Sequence, residues 1–519
     1  MKRSCTSVTH LTVSRNSGLS LFAAILLAAC AGPELKDDII RSEPSFASPP
    51  ATTGVLAETA NEFFTAHGPE YSGYKLLDTS YDSVAWRLAL IDSAISSLDI
   101  QTYLWYPDNS GRLILQRAVD AADRGVRVRL IVDDLLTIGQ EQLMYELENH
   151  SNIELRLFNP WKGRSTLSRA GEMIAEMERL NTRMHDKLMI ADGNAAVVGG
   201  RNLGDHYFGL SHEYNFHDLD LLGFGHIARQ ANEMFDHFWN SEWVVSAVNL
   251  DTDQDAEFAE QKWQEIQNKN RLAEELKVFG VETADWSERI AEVSGELHPG
   301  KSYLVYDKAS GEEVTQDVAS EMFGFMNLAQ TELMITNAYI IPGQKAIDFF
   351  QSLSDRGVRV RVLTNSLASH DVPAVNSHYE PWRDDIINAG AELYELRADA
   401  AIQSIVDIPP VKGKFVGLHT KAVVVDRNKV FIGSMNFDPR SFNINTEAGA
   451  FVESPGLARA LAEVMERDMA PENAWQVFIN DKGKPYWVNS DETLDSQPAR
   501  SGSQRVMNII FKIFPKEQY

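Results

Sequence analysis

The chain alternates between two periodicities. Apolar residues at helical spacing give way to short β-branched runs bounded by Gly, Asp and Asn, the pattern of helices feeding strands. Asp123-Arg124-Gly125-Val126-Arg127-Val128-Arg129 is one such junction, and it recurs as Asp355-Arg356-Gly357-Val358-Arg359-Val360-Arg361, 232 residues later. Upstream of the two copies, Leu98–Leu104 and Leu333–Tyr339 read as strands. Each half is therefore strand, helix, strand, which predicts an α/β fold with buried sheets. The 519 residues accommodate two such halves.

The pattern divides the chain. Residues 57–248 form an N-terminal half, with folding expected to begin near Glu58, and 301–490 form a C-terminal half. Residues 249–300 connect them. A helix is expected from Ala256 to Lys277, with Phe258, Trp263 and Ile266 on one face and no chemistry of its own. Residues 491–519 form a tail. There Val506, Ile509, Ile510, Ile513 and Phe514 make an apolar stripe beside Arg505, Lys512 and Lys516. Such a stripe suits a membrane interface or packing against the domain equally well.

The first residues have a different pattern. Lys2, Arg3 and Arg15 precede an apolar run, Leu19–Ala29, that is shorter than the ~20 residues of a spanning helix. This is the layout of a secretory signal. Residues 1–29 end in Leu27-Ala28-Ala29 before Cys30, which resembles a bacterial lipoprotein signal with Cys30 as the lipidated residue. The Pro- and Ser-rich residues 30–56 are expected to be a flexible tether. The implied location is the cell envelope, on a lipid anchor facing the periplasm. Ala31 lacks the aspartate linked with inner-membrane retention, which points to the outer membrane. Cys5 and Cys30 are the two cysteines, so no disulfide or Cys/His zinc framework is expected.

Charge narrows the function classes. The net charge is −26, and loss of Lys2, Arg3 and Arg15 would make it −29. Non-specific nucleic-acid binding depends on positive surface, so no nucleic-acid partner is expected. Broad electrostatic adhesion to anionic lipid is disfavoured for the same reason.

The candidate chemistry lies in a second repeat. His185-Asp186-Lys187 runs on to Asp192, and His419-Thr420-Lys421 to Asp426; both are His-x-Lys-x-x-x-x-Asp. Their offset of 234 agrees with the strand–helix repeat. Ordinary composition gives roughly 0.04 chance matches per chain, too few to explain two in register. On a strand, i and i+2 share a face, so each lysine points with its histidine. Asp192 and Asp426 have the opposite parity. They are expected at turns, bracing the motif. The returning strands end in Gly199-Gly200-Arg201-Asn202 and Gly433-Ser434-Met435-Asn436, whose Asn202 and Asn436 can bond phosphate oxygens. A catalytic histidine needs its far nitrogen held. Asp218, 33 residues beyond His185, and Glu447, 28 beyond His419, are the candidates, with Asp220 in reserve.

These residues resemble the phospholipase D superfamily, defined by paired His-x-Lys-x-x-x-x-Asp motifs. Val198–Asp205, Asp218-Leu219-Asp220, Leu363–Ala368 and Gly433–Ser441 are similar to the bacterial cardiolipin synthase C type. The resemblance runs from about residue 75 to 490, and it implies two homologous α/β/α sandwich halves with mixed sheets. They would be related by a pseudo-twofold axis, with the active site at their interface. It implies His185 as nucleophile and His419 as acid/base, with Lys187 and Lys421 on the non-bridging phosphate oxygens. No metal or other cofactor is expected. The implied reaction moves a phosphatidyl group from phosphatidylglycerol or phosphatidylethanolamine to a lipid alcohol. The alternatives are a hydrolytic phospholipase D, a nuclease, and a non-catalytic lipid-binding envelope protein. The residues name no protein partner.

Overall fold

Two sheets of one topology join along an edge. The computed structural model describes residues 35–512, apart from 37–38, 138, 165 and 311–312. The expected signal segment, Cys30, Ile513, Phe514 and Lys516 lie outside the described residues. In the first half the neighbouring strands are, in spatial order, Ser72–Leu77, Asp220–Gly225, Ala195–Gly199, Leu188–Ala191, Ser97–Thr102, Arg127–Asp133, Ile153–Phe158 and Val244–Ser246. The second half repeats the order with His298–Tyr306, Ala448–Glu453, Lys429–Gly433, Lys421–Val425, Glu332–Asn337, Arg359–Asn365, Glu392–Leu396 and Ala474–Ile479. In each, the three strands flanking the repeated junction are parallel and the rest antiparallel. Ser72–Leu77 then pairs with His298–Tyr306, Ser72 opposite Gly300, so one mixed sheet runs through both halves.

Strand alternation builds the layers. Val128 and Leu130 enter one apolar cluster with Leu88 and Ile91 of the helix Ser80–Ser93, while Ile131 enters another with Phe235 and Phe238 of His226–Trp239. Val423 and Val425 likewise face away from Ala422 and Val424, which pack on Leu457 and Leu461 of the helix Pro455–Met469. That last cluster also holds Tyr74, Val198 and Leu221 from the first half. The halves therefore share an inner layer of core.

The repeated junction is a helix stop. Gly125 and Gly357 have φ of 95° and 80°, the left-handed conformation that ends helices. Val126 and Val358 donate back to the carbonyls of Ala121 and Leu353 at 3.1 and 3.0 Å, closing the helix before the strand begins.

One segment differs from the sequence expectation, and the structure places two others, the connector and the tail. The described part of residues 30–56 is not a flexible tether but a strap along the first half. The Ile40 N–H donates to Asn249 Oδ1 at 2.6 Å, that of Ser45 to Asn240 Oδ1 at 3.0 Å, and that of Ala51 to the Asp192 carbonyl at 2.9 Å. Side-chain amides of the body thus stand in for a neighbouring strand. The connector packs on the first half: Ile266 of the helix Ala256–Leu272 is buried, and Asn270 donates to Gln116 at 2.8 Å. The tail helix Gly502–Phe511 reverses its faces. Gln504 and Asn508 point inward, while Val506, Ile509 and Ile510 are exposed. Asn508 bonds Asn376 and Glu380, so polar contacts hold this helix.

Gly357→Val should destabilise the protein by about 1–2 kcal/mol, because a β-branched residue is strained at positive φ. A lowered urea midpoint checks this; an unchanged midpoint would mean the helix stop tolerates a side chain.

Candidate active site

The motif histidines lie where the halves cross. His185 sits just ahead of the strand Leu188–Ala191, and His419 just ahead of Lys421–Val425. The His185 N–H donates to the Thr446 carbonyl at 3.0 Å, and the His419 N–H to the His217 carbonyl at 2.8 Å. Thr446 and His217 immediately precede Glu447 and Asp218. A two-stranded parallel contact, Asn215–His217 with Val416–Leu418, reinforces the second crossing.

This arrangement exchanges the carboxylates. His185 Nδ1 lies 2.9 Å from Glu447, and His419 Nδ1 lies 2.6 Å from Asp218. Counting along the chain pairs each acid with the histidine of its own half; in space each serves the other half. Both acids are fully buried, and the side chains of His185 and His419 are 9% and 5% exposed. Asp220, the reserve acid, touches neither ring. It pairs with Arg87 and Arg201 at 2.9 and 3.1 Å.

The two carboxylates are held differently. Ser434 Oγ donates to Glu447 at 2.5 Å and Ser441 Oγ at 2.6 Å. Asp218 accepts the Leu219 N–H at 2.8 Å, and Arg201 donates to its main-chain carbonyl. Gly200 stands where Ser434 stands in the other half. A Cβ there would come within 2.7 Å of the Asp218 carboxylate. The shorter acid and the missing side chain go together.

Electrostatics follow. Burial drives Glu447 well above the usual carboxylate range, against the opposing pull of Lys187 and the two hydroxyls. Burial pushes Asp218 the same way, but His419, Lys421 and Arg201 prevail and bring it below its ordinary value. Burial, then the charges of Lys187 and Lys421, holds His185 well below its ordinary value. Burial and Lys421 bring His419 down to about 4, with Asp218 opposing. Burial also lowers Lys187 to about 7 and Lys421 to about 8. In this structure both ammonium groups bond back to the carbonyl of their own histidine.

The remaining sequence candidates lie outside this cluster or at its edge. Asp192 and Asp426 are at the far ends of the motif strands, so they are not catalytic groups. Asp192 accepts the N–H groups of Ile95, Ser96 and Ser97 at 2.7–3.1 Å, and Asp426 those of Gln330, Thr331 and Glu332 at 2.9 Å. Their φ values of 54° and 50° start the turns that return the hairpins. Asn202 Oδ1 accepts the Leu104 N–H at 3.2 Å, bracing a loop. Asn436 is buried, and its Oδ1 has no partner among the described residues.

Aromatic rings complete the walls. Tyr103 meets His185 edge-on at 5.2 Å, and Tyr339 meets His419 edge-on at 6.3 Å. Tyr207 and Phe216 each lie 5.1 Å from His419. The sequence assigns none of these rings a place beside a motif histidine, although Tyr207 belongs to the blocks that carry the family resemblance, and it does not pair Ser434 and Ser441 with Glu447. Tyr103 and Tyr339 had a signal: their offset of 236 is close to that of the motifs.

Comparison with known proteins follows this geometry. Residues 88–239 and 322–469 match the family model described as cardiolipin synthase, PLD-like domain. Cardiolipin synthase C of Escherichia coli strain K12 is 32% identical over 86% of this chain and 96% of its own length. An uncharacterized protein of Helicobacter pylori strain 26695 is 31% identical over 96% of this chain and 99% of its own. The crystal structure of phosphatidylserine synthase from Haemophilus influenzae Rd KW20 shares the fold. Its TM-score is 0.52 and its identity 14%, over 76% of this chain and 85% of that one. With both motif-bearing repeats matched and each motif histidine held by a carboxylate of the other half, the chain is an enzyme of the phospholipase D superfamily and belongs to its cardiolipin synthase-like family.

Proposed function

We propose that this enzyme transfers a phosphatidyl group between lipid alcohols through a phosphohistidine, forming cardiolipin from phosphatidylglycerol. The observation that carries the reading is the pair of crossed imidazole–carboxylate couples, each with a buried lysine two residues along. A neutral imidazole is a nucleophile, and a protonated one is an acid. His185 suits the first role because its depressed basicity keeps Nε2 unprotonated. His419 suits the second because the ionised Asp218 stabilises its cation.

In the first step, His185 Nε2 forms a bond to phosphorus. The bond to the leaving alcohol breaks, and His419 gives that oxygen a proton. In the second, neutral His419 takes the proton of the acceptor hydroxyl as its oxygen attacks phosphorus and the P–N bond breaks. The phosphate that enters brings the negative charge the site lacks, which raises the basicity of both imidazoles and charges Lys187 and Lys421. Those ammonium groups then hold the non-bridging oxygens. Burial of both imidazoles behind Tyr103, Tyr207, Phe216 and Tyr339 limits water and supports transfer over hydrolysis. Phosphatidylethanolamine is a second possible donor by the same chemistry.

We also infer attachment to the periplasmic side of the outer membrane through lipidated Cys30. The small-small-Cys sequence after the apolar run supports this. So does the exposed stripe of Val506, Ile509 and Ile510. No described helix is long and apolar enough to cross a membrane.

Radiolabelled phosphatidylglycerol should yield labelled cardiolipin on thin-layer chromatography. Phosphatidic acid as the sole product would overturn transfer. With a phosphorus-labelled phosphatidyl diester carrying a p-nitrophenyl leaving group, His419→Ala should accumulate a protein-bound label. His185→Ala should form none, and the reverse pattern would exchange the roles.

Asp218→Asn should cut kcat by about 10²–10⁴-fold. Losing that carboxylate makes the His419 cation harder to form. The alkaline fall of the kcat–pH profile should therefore move to lower pH, and a limb that stays in place would show that Asp218 does not act through His419. For the anchor, cells fed labelled palmitate should label the wild type and not Cys30→Ala. Equal labelling of both would refute lipidation at Cys30.

A further inference from the structure

Among the cavities that the mechanism leaves unused, one is walled by apolar side chains and rimmed by cations. It has a volume of about 320 Å³ and lies between the first-half sheet and the connector helix. That is within the range of ~300–1,000 Å³ typical of small-molecule sites. Its wall has three origins. Leu130 and Val132 share one face of the strand Arg127–Asp133, Met144 and Leu147 lie one turn apart on the helix Glu141–Glu148, and Ile266 closes it from the helix Ala256–Leu272. All five are buried. Protein interiors are normally packed without such a gap, and an apolar gap left unfilled is destabilising.

The mouth has the opposite character. Arg112, Lys262 and Lys269 surround it with a single carboxylate, Glu265, which pairs with both lysines. Arg112 pairs with no carboxylate among the described residues. Its terminal nitrogens donate to the Pro107 carbonyl at 2.8 Å and to Asn109 Oδ1 at 2.6 Å. Its buried Nε has no hydrogen-bond partner among them. In a chain of net charge −26, a rim with three cations and one anion is a local reversal.

A short segment joins this cavity to the active site. Tyr103 touches His185, whereas Trp105, Tyr106 and Pro107 line the cavity. Tyr106 also meets His206 edge-on at 4.8 Å.

We propose that this cavity is an acyl-chain site for the anionic phospholipid substrate. One fatty chain lies between the sheet and the connector helix, and Arg112 bonds the polar head side of the same lipid. The proposal rests on the phosphatidyltransfer reading for the identity of the lipid. It gives the connector helix a function, as the wall of a substrate site.

The test is photolabelling of the full chain with phosphatidylglycerol carrying a diazirine at the end of one acyl chain. Label is expected on the peptides that contain Met144, Leu147 and Ile266. Leu143 is half-buried in the cavity wall. Leu143→Trp should reduce that label about ten-fold, since displacing about two methylenes forfeits roughly that much affinity. The same variant should lower the ratio of kcat/KM for long-chain over dihexanoyl phosphatidylglycerol by a similar factor. Arg112→Gln should weaken labelling by the phosphatidylglycerol probe but not by a neutral diacylglycerol probe with the same chain.

Label outside the cavity, or labelling and chain-length preference that Leu143→Trp leaves unaltered, would overturn the site. Equal loss with both probes in Arg112→Gln would overturn the head-side contact. Because labelling needs no turnover, labelled cavity peptides in an enzyme that makes no phosphatidyl product would sustain the site and sink the transfer reading instead.

Discussion

The structure depends on the exchange of two carboxylates. Glu447 orients the histidine of the first half, and Asp218 that of the second. The preceding residue of each acid accepts the main-chain N–H of the same histidine. Neither imidazole is oriented until the halves are docked. In the docked pair, removing one partner of either couple leaves the other buried without its hydrogen bond, which costs about 1–3 kcal/mol, and more when it is charged. The edge pairing of Ser72–Leu77 with His298–Tyr306 and the shared inner core are therefore parts of the active site at one remove. The functional unit is the whole pair of repeats.

Within that symmetry, one difference separates the halves. Glu447 is held by two neutral hydroxyls, whereas Asp218 lies against Gly200 and the charged neighbourhood of Arg201. A hydroxyl satisfies a carboxylate without neutralising it, so burial dominates at Glu447. At Asp218 the bonded His419, then Lys421 and Arg201, outweigh burial and bring the carboxyl below its ordinary value in an equally buried place. On the proposed roles, this difference between the carboxylates is what sets apart two imidazoles supplied by two copies of one motif. Division of labour needs that inequality, because two identical histidines cannot act as nucleophile and acid at the same time without breaking symmetry in some other way.

Much of this was legible in the sequence wherever the information was local. The repeat Asp123–Arg129 and Asp355–Arg361 marks a helix stop followed by a parallel strand, and it is one in both halves. The spacing of His185 to Lys187 and of His419 to Lys421 carries the shared face, and the odd offset of Asp192 and Asp426 carries their place at the turns. The crossing was not legible. Counting 33 residues from His185 to Asp218 says nothing of which ring the acid will meet, because the answer lies in the docking of two separate sheets. The strap was misread for a related reason. Its composition suggests flexibility, but the amides of Asn240 and Asn249 that fix it are about 200 residues away. The tail helix has an apolar stripe that points outward, because Gln504 and Asn508 find partners on the body that the stripe does not.

The buried cations bear on specificity. Lys187 and Lys421 are pulled toward neutrality in the interior and two imidazoles are suppressed beside them, so the site holds latent rather than displayed positive charge. A polyanion such as nucleic acid is gathered by many surface cations at once, and its affinity scales with the number of phosphates neutralised. This chain, at net −26, presents the reverse. A phospholipid needs only one phosphate neutralised and can spend apolar area on the rest of its binding. On the proposed reading, a site whose charge develops when a single phosphate enters, in a chain of net charge −26, favours that kind of substrate before any headgroup is read.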